Sequence, residues 1–267
     1  MTPTDRHILV RGANDIGSAV AHCLFRSGYP VVIHETHQPT TTRRRMSFTD
    51  AVFDGHAVLE EVEAKLIRDS TLLRDALTAH QHIPVVLDDF FEPPPAVVVD
   101  ARMRKHSQPE SQIHQAALTI GLGPNFIAGE TTHLVIETAR GDSLGQIIER
   151  GQSIPLQGEP LEIEGHARDR YVYAPTAGTF HTSLQIGDQV ETGQQLARID
   201  ATPLLASIPG ILRGLTHNHV PVTQRTKVIE IDPRIGHAQV SGIAERPAQI
   251  AQGVLQAIQE WEEKHVH

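Results

Sequence analysis

The stretch AVVVD at residues 96–100 and the stretch ALTIGLGPNF at residues 117–126 together decide the fold. Each begins as an apolar run typical of a strand buried on both faces, and each ends in a polar or glycine-containing loop. In an open α/β sheet, ligands bind beyond the carboxyl ends of the strands, where backbone N–H groups and loop side chains meet. We therefore expect both loops to lie at one sheet edge and to bind a phosphate-bearing ligand.

The predicted anion site combines basic side chains of the first loop with backbone positions of the second. Its residues are Arg102, Lys105, Gly121, Gly123 and Asn125. Arginine suits such a site because its planar guanidinium matches phosphate and carboxylate geometry. The alternative interpretation is a surface ion-pair cluster of Asp100 with its arginines, in which the glycines only turn the chain.

A strand-helix-strand unit is predicted near the start of the chain, with strands at 7–11 and 31–33 and a helix between them that ends at Gly28. The turn GANDIG at residues 12–17 matches G-x-G-x-x-G except for asparagine in the middle. Asparagine tolerates a positive φ but adds a side chain, which disfavours tight nicotinamide or flavin binding relative to a plain turn or another phosphate ligand. The ligand-binding residues predicted here are Gly12, Asn14, Asp15, Gly17 and Glu35.

Two further local patterns lie within the first 150 residues. Arginines at 43–45 follow three threonines, and we expect Arg43 and Arg44 to pair with the same ligand, the alternative being an exposed basic loop. Asp142 or Ser143 is predicted to cap a helix that continues through Ile148. The alternation of short strands and helices predicts a mainly parallel sheet.

Composition argues against several classes of function for this chain of 267 residues. A net charge of −9 disfavours binding to nucleic acid or to a lipid surface. Cys23 is the only cysteine, so no disulfide or thiolate metal cluster can form within the chain. The 17 histidines lack metal-binding spacing, and we expect no metal site. No leader or membrane-spanning apolar run is visible, which favours a cytoplasmic protein.

An internal repeat with a constant offset of 32 residues occupies the second part of the chain. Residues 174–178 (APTAG) match residues 206–210 (ASIPG), and Ile199-Asp200 matches Ile231-Asp232. Such a repeat predicts two intertwined β halves. It is similar to the barrel-sandwich fold of biotinyl and lipoyl carrier domains, which attach their cofactor to a lysine between the halves. Residues 200–205 contain no lysine, so we expect neither biotin nor lipoate.

These patterns predict an α/β chain with two domains and a terminal helix. Residues 1–150 are predicted to form a Rossmann-like, mainly parallel sheet domain that binds a nucleotide or anion. Residues 165–234 are predicted to form a small all-β barrel-sandwich hybrid domain without the modified lysine. A C-terminal helix at 245–264, apolar along one face, is predicted to pack back on the first domain or on a partner subunit.

Several motifs together resemble the accessory-protein family associated with selenium-dependent molybdenum hydroxylases. They are RGANDI at 11–16, QPT at 38–40 with the following arginines and Ser47-Phe48, VDARM at 99–103, GLGPNF at 121–126, VIET at 135–138 and IDPR at 231–234. The resemblance spans nearly all of the chain. Glycine is usual in that family at the positions of Asn14 and Asn125, where asparagine can keep a left-handed turn.

That resemblance implies a non-catalytic maturation factor. Such a factor would bind a molybdopterin dinucleotide or a related phosphorylated ligand at the sheet edge and deliver it to the apo-enzyme of a molybdenum hydroxylase. No nucleophile with a neighbouring base is visible, so we assign no catalytic residue. The alternatives are an oxidoreductase that uses NAD or FAD through residues 12–35, and a scaffold that only docks a partner. The sequence leaves the ligand, the choice of selenium or sulfur, and homo-oligomer formation open.

Overall fold

The structure is a computed structural model that describes residues 6–88, 94–104, 107–156, 158 and 160–265. The chain divides into two compact units. Unit 1 consists of the described residues within 1–37, 47–156 and 243–267, and unit 2 of those within 38–46 and 157–242. The sequence analysis placed residues 38–46 in the first domain, whereas the structure places them in unit 2. The reason is a backbone bond from the Leu215 N–H to the Thr42 carbonyl, which ties this segment to unit 2.

Unit 1 is a mixed α/β structure. Its described strands are β1 (Ile8–Arg11), β2 (Val31–His34), β3 (His56–Leu59), β4 (Val62–Leu66), β5 (Ile83–Val86), β6 (Val97–Asp100), β7 (Leu118–Leu122), β8 (Ile127–Ala128), β9 (Leu134–Ile136), β10 (Ile147–Ile148) and β11 (Gly151–Gln152). Its described helices are α1 (Asp15–Arg26), α2 (Ala51–Asp54), α3 (Leu73–Ala79) and α4 (Glu245–His265).

The main sheet of unit 1 has the spatial strand order β10-β9-β7-β6-β1-β2-β5-β4-β3. The pairs from β4 through β9 in this order are parallel. The edge strands β3 and β10 are antiparallel to their neighbours. Strands β2 and β5 lie on one side of β1. The later strands β6 and β7 lie on its other side. The order therefore reverses between β1 and β6.

Both faces of the central strands are buried, as their continuous apolar runs predict. Alternate residues such as Val10 and Ile33 face the cluster that contains α1 and α4. The intervening residues, such as Leu9 and Val32, pack with Leu73 of α3. Helix α4 packs against α1. The contact uses the apolar face of α4 that the sequence predicts, which includes the buried residue Ile250. Burying one such side chain contributes about 1.5–3 kcal/mol.

Unit 2 contains two antiparallel sheets of four described strands each. The strands are β12 (Tyr171–Tyr173), β13 (Gly178–His181), β14 (Gln189–Val190), β15 (Gln195–Ile199), β16 (Thr202–Leu205), β17 (Gly210–Leu215), β18 (Pro221–Val222) and β19 (Lys227–Asp232). The first sheet has the order β12-β19-β17-β14, and the second has the order β16-β15-β13-β18.

The two sheets are related by the offset of 32 residues found in the sequence. Adding 32 to each strand of the second sheet, or subtracting it, gives the corresponding strand of the first. Gly178 pairs with Val222, and the equivalent residues Gly210 and Val190 also pair. Gly178 and Gly210 share a φ of +154°. Each sheet therefore takes strands from both halves of the repeat.

The prediction of an α/β chain with a mostly parallel sheet, smaller antiparallel sheets and a C-terminal helix is confirmed. The predicted helix through Ile148 is wrong, because Ile147 and Ile148 form strand β10 against β9. Two apolar residues carry too little periodicity to distinguish a helix from a strand. Within the described residues, no helix is both long and apolar enough to cross a bilayer.

Candidate functional site

The carboxyl ends of four central strands of unit 1 lie side by side. Arg11 at the end of β1 is in register with His34 of β2 and with Asp100 of β6. Asp100 is in turn in register with Gly121 of β7. The loops that follow these strands therefore leave the sheet at one edge, on both sides of the point where the strand order reverses. Ligands of open α/β sheets bind at such a point.

Gly12 and Gly17 have the geometry that their places in the fingerprint require. Gly12 has a φ of +100°, and a Cβ there would press on the Ala101 carbonyl and the Arg102 Cα. A Cβ on Gly17 would collide with the Gly12 carbonyl oxygen. The first glycine therefore makes the turn, and the last allows α1 to approach β1 closely.

Asn14 does not keep the left-handed turn expected of it. Its backbone is extended, with φ −66° and ψ 178°, and it is the N-cap of α1. Its side-chain Oδ1 accepts the N–H groups of Ile16 and Gly17 at 3.0 and 3.1 Å. Its Nδ2 donates to the Ala101 carbonyl at 2.7 Å. An asparagine side chain thus bonds to the helix amides that a pyrophosphate would use, and it bridges the first loop to the loop after β6.

The remaining groups of this turn are also held by protein side chains. Glu35 accepts the Ala13 N–H at 2.7 Å, and the Ala13 carbonyl accepts the hydroxyls of Ser18 and Thr49. Asp15 is the first residue of α1, where a carboxylate is favourable near the helix N-terminus. The turn is therefore fixed by the side chains of Asn14, Ser18, Glu35 and Thr49.

Asp100 is the centre of an ion-pair network, which we call the Asp100 cluster. Its members are Asp100, Arg102, Arg104 and Glu110. The Asp100 carboxylate is 1% exposed and accepts from the backbone N–H, Nε and Nη2 of Arg102. Arg102 and Arg104 each donate from Nη2 to Glu110 at 2.8 Å. The described hydrogen bonds of Arg102 use its backbone N–H, Nε and Nη2.

These contacts shift the acidities of both carboxyls. Burial acts to raise the pKa of Asp100, but the hydrogen bonds and charge of Arg102, with the Gln112 amide, hold it below its usual value. The slight burial of Glu110 likewise acts to raise its pKa, but hydrogen bonds from Arg102 and Arg104 lower this pKa to about 2. Both groups are therefore carboxylates at neutral pH.

The second predicted loop is packed by its own side chains. A Cβ on Gly121 would collide with the Phe126 ring, so this glycine makes room for a core side chain. Gly123, with φ +103°, lies beside Met103, and its carbonyl accepts the Ser153 hydroxyl. Asn125 has a φ of +76°, as expected for a left-handed turn, and its Nδ2 donates to the Ser107 carbonyl.

The sequence analysis missed Gln112, which links the two sides of the edge. This residue is 1% exposed, and its Nε2 donates to Asp100 at 2.6 Å. Arg11 donates to the Gln112 Oε1 at 2.9 Å and to Gln115 at 2.7 Å. No periodicity or spacing in this loop distinguishes Gln112 from an ordinary polar residue.

The other predicted site residues lie elsewhere. Lys105 is outside the described residues. Arg43 and Arg44 belong to unit 2, where Arg44 donates to the Leu215 carbonyl at 2.8 Å. Arg43 forms a two-pronged pair with the buried Glu230, at 2.9 and 2.8 Å. Among the described residues, no group of three or more His, Cys, Asp or Glu is arranged to hold a metal ion.

Arg43 is part of a second network, which we call the Glu230 cluster. Its members are Glu230, Arg43, Arg170, Arg213 and Lys227. Glu230 is fully buried, and burial acts to raise its pKa. The charges of Arg43, Lys227 and Arg213 overcome this effect and hold the pKa of Glu230 well below its usual value.

Comparison with known proteins finds one extended relative in sequence. The chain is 36% identical over 255 residues to the uncharacterized protein YqeB of Escherichia coli (strain K12), a match that covers 94% of this chain and 47% of that protein. The chain thus spans about half the length of the curated relative it matches. No family model matches the chain.

Two solved structures show weak likeness. A succinylglutamate desuccinylase/aspartoacylase from Rhodobacter sphaeroides is 26% identical over 27% of this chain and 25% of its own, with a TM-score of 0.23. The ectoine utilization protein EutE (DoeB) from Ruegeria pomeroyi, with product bound, is 12% identical over 85% of both chains, with a TM-score of 0.25. Scores this low support no inference about fold or activity.

Proposed function

We propose that unit 1 is a Rossmann-like domain that binds a phosphorylated dinucleotide at its carboxyl edge. The observation that carries this proposal is the reversal of strand order between β1 and β6, directly beside Gly12 and Gly17 in fingerprint geometry. A crevice at this position receives nucleotides in doubly wound sheets. Glu35, at the end of β2, is placed where such domains carry an acid for the ribose.

The phosphate contacts must differ from those of an ordinary dinucleotide site. Asn14 already satisfies the amides of Ile16 and Gly17, so a pyrophosphate cannot bind there unless this cap opens. We propose that the phosphate instead lies over the loop after β6, where Arg102 contributes its Nη1. The Arg102 side chain is 30% exposed, so part of it is accessible to solvent.

The family resemblance supports a molybdopterin dinucleotide as this ligand, and we propose that the protein is a maturation factor for a molybdenum hydroxylase. In this proposal the chain is not an enzyme: it holds the ligand and delivers it to the apo-hydroxylase. Unit 2, with its two related sheets, is proposed to be a barrel-sandwich hybrid that docks this partner. Its β15-β16 turn at Asp200 and Ala201 offers no lysine for biotin or lipoate.

A second candidate is an oxidoreductase that uses a nicotinamide or flavin cofactor. It is favoured by the positions of Gly12, Gly17 and Glu35, which reproduce three parts of the fingerprint. The two candidates differ in what Asn14 does. If the cap only blocks a cofactor site, Asn14→Gly should expose two helix amides and strengthen NADH binding.

The test begins with protein purified from cells that make the molybdenum cofactor, followed by mass spectrometry of the small molecules it releases. We expect a pterin dinucleotide, and release of NAD or FAD instead would favour the second candidate. Calorimetric titration with the identified molecule then compares three variants. Arg102→Ala should weaken binding roughly tenfold to hundredfold, the range for a hydrogen bond to a charged group.

Two matched variants complete this design. Arg102→Lys keeps the charge without the planar fork and should recover only part of the loss. Arg198→Ala removes an exposed arginine of unit 2 and should leave the affinity unchanged. An unchanged affinity in folded Arg102→Ala protein would remove Arg102 from the proposed site and reduce the Asp100 cluster to a structural network.

A further inference from the structure

A cavity of about 220 Å³ lies in unit 1 beside the last turns of helix α4. Its apolar wall is formed by Ala257 and Trp261 of α4 and by Leu118, Leu134 and Ile147 of strands β7, β9 and β10. Leu118 and Leu134 are the first residues of their strands, so they lie at the opposite end of the sheet from the proposed dinucleotide site. An apolar cavity of roughly 150 Å³ is large enough to bind benzene. This cavity therefore has room for one six-membered ring.

His133 adds a hydrogen-bond donor to the wall of the cavity. Its Nδ1 accepts the backbone N–H of Thr119 at 3.0 Å, and the Thr119 hydroxyl lies 2.9 Å from the same nitrogen. Burial and the charge of His114 hold the pKa of His133 below its usual value, so the ring is neutral at neutral pH. A neutral imidazole carries one proton, and an Nδ1 that accepts a hydrogen bond leaves this proton on Nε2. Within the described part of the chain, this Nε2–H has no hydrogen-bond partner.

Trp261 adds a second donor of the same kind. Its indole N–H can donate a hydrogen bond but cannot accept one. No acceptor in the described ranges of the chain lies within hydrogen-bond distance of this group. The indole stacks on the His265 ring, with centroids 5.1 Å apart and an angle of 18° between the planes, which restrains its orientation.

The charged side chains at the cavity already have partners. The Lys264 ammonium lies 3.8 Å from the Glu149 carboxylate, and both side chains are more than half exposed. Glu260 accepts the Gln256 amide at 2.7 Å. Exposed charges of this kind interact weakly because water and salt screen them. The apolar wall and the two neutral donors therefore decide which molecule the cavity can bind.

We propose that this cavity binds a small neutral heteroaromatic molecule, one ring in size, which accepts a hydrogen bond from the Nε2–H of His133. The ring packs on the apolar wall, and its removal from water drives the binding. A ring nitrogen or a carbonyl oxygen accepts the proton of His133, and the Trp261 N–H suits a second acceptor. A few polar groups in an apolar pocket fix the orientation of a ligand in this way. The site is separate from the proposed dinucleotide site and requires no phosphate.

The direct test uses ¹H–¹⁵N NMR of the full chain. Trp261 is the only tryptophan, so its indole N–H gives a single signal that needs no further assignment. Pyridine and benzene are titrated separately at neutral pH, because the two rings match in size and only pyridine has an acceptor. We expect a saturable shift of the indole signal with each probe. A signal that does not move, or that moves linearly without saturating, would overturn the proposal.

The variant His133→Asn tests the donor. Its Oδ1 can still accept the Thr119 N–H, but the variant has no group in place of the Nε2–H. The ratio of the pyridine affinity to the benzene affinity should fall about twofold to tenfold, the range for the loss of one neutral hydrogen bond. The ratio cancels any change in packing that affects both probes. An unchanged ratio would contradict the role of His133 and overturn the proposal.

Two matched variants test the location of the site. Ile147→Phe adds volume inside the cavity and should weaken the binding of both probes by about tenfold or more. Ile148→Phe makes the same change at the next residue of β10, which packs against Phe126 and lies outside the cavity wall. This control should bind both probes as the unaltered chain does. Equal affinities in the two variants would place the binding elsewhere, and the titrations of the unaltered chain decide the proposal even if Ile147→Phe fails to fold.

Discussion

The Asp100 cluster and the Glu230 cluster contain the same kinds of side chain but differ in burial. In the Asp100 cluster, two arginines that are 30% and 33% exposed face two carboxylates, and one of these, Glu110, is 50% exposed. In the Glu230 cluster, the carboxylate is fully buried and Arg170 is 2% exposed. The first network is partly open to water, whereas the second is centred on a carboxylate that water does not reach.

This difference shows that a run of arginines in a sequence does not reveal which hydrogen-bond donors remain for a ligand. Arg102 and Arg104 follow the end of β6 at the expected edge of the sheet. Each nevertheless uses hydrogen-bond donors to bind Glu110 and Asp100. Arg213 stands alone in its sequence neighbourhood, yet the fold brings other cations to it and leaves its Nε unmet among the described residues.

The largest effect is expected from Glu230→Gln. Removing the Glu230 carboxylate, which pairs with four cations, leaves uncompensated buried charge, which typically costs about 3–5 kcal/mol of unfolding free energy. Hydrogen exchange of the β17 and β19 amides should measure this loss. Trp261 lies in unit 1, so its fluorescence would not report on unit 2. Glu191→Gln, at an exposed position of unit 2, is the matched control and should change little. A loss below ~1 kcal/mol would show that burial does not separate the two clusters.

Asp100→Asn is expected to cost less, about 1–3 kcal/mol. The amide keeps the shape and one acceptor, and the exposed Arg102 and Arg104 can recover water. Urea unfolding followed by Trp261 fluorescence measures the change in unit 1. A loss as large as that of Glu230→Gln would contradict the contrast between the clusters.

The acid dependence of unit 1 should sharpen this contrast further. The pKa of Glu110 is about 2 in the folded chain and 4.5 in its ordinary state, so the unfolded chain takes up this proton first as the pH falls. The contribution of Glu110 is therefore fully present above pH 4.5 and is lost between pH 4.5 and about 2. Urea midpoints of Glu110→Gln and the unaltered chain should differ at pH 6 and converge near pH 2. A constant difference would contradict this assignment.

The smallest effect is expected from Arg104→Ala, at most ~1 kcal/mol. Its side chain is one-third exposed, and its bond to Asp100 is long, at 3.5 Å. Added salt should reduce even this difference, because exposed pairs are screened. Thermal melts at low and high sodium chloride give the measurement. A larger loss that salt does not change would mean that the Asp100 cluster behaves as a buried network.

The sequence predicts what depends on local pattern. Continuous apolar runs located β6 and β7, and the offset of 32 residues indicated intertwined β halves, between which Gly178 pairs with Val222. The sequence could not predict the partner of Arg43, which is 187 residues away. The sequence also could not predict the cap at Asn14 or the β-bulge of β17 at Arg213. Both features depend on how two segments of the chain fit together, and not on the spacing of residues within one segment.

The long separation between Arg43 and Glu230 has a consequence for synthesis on the ribosome. At about 5–20 residues per second, Glu230 is made roughly 10–40 s after Arg43. Helix α4, which completes the cover over α1, is made later still. Neither unit can therefore finish folding until these later segments have been synthesised. During that delay a cluster of basic residues at 43–45 and the uncovered face of α1 remain available to chaperones.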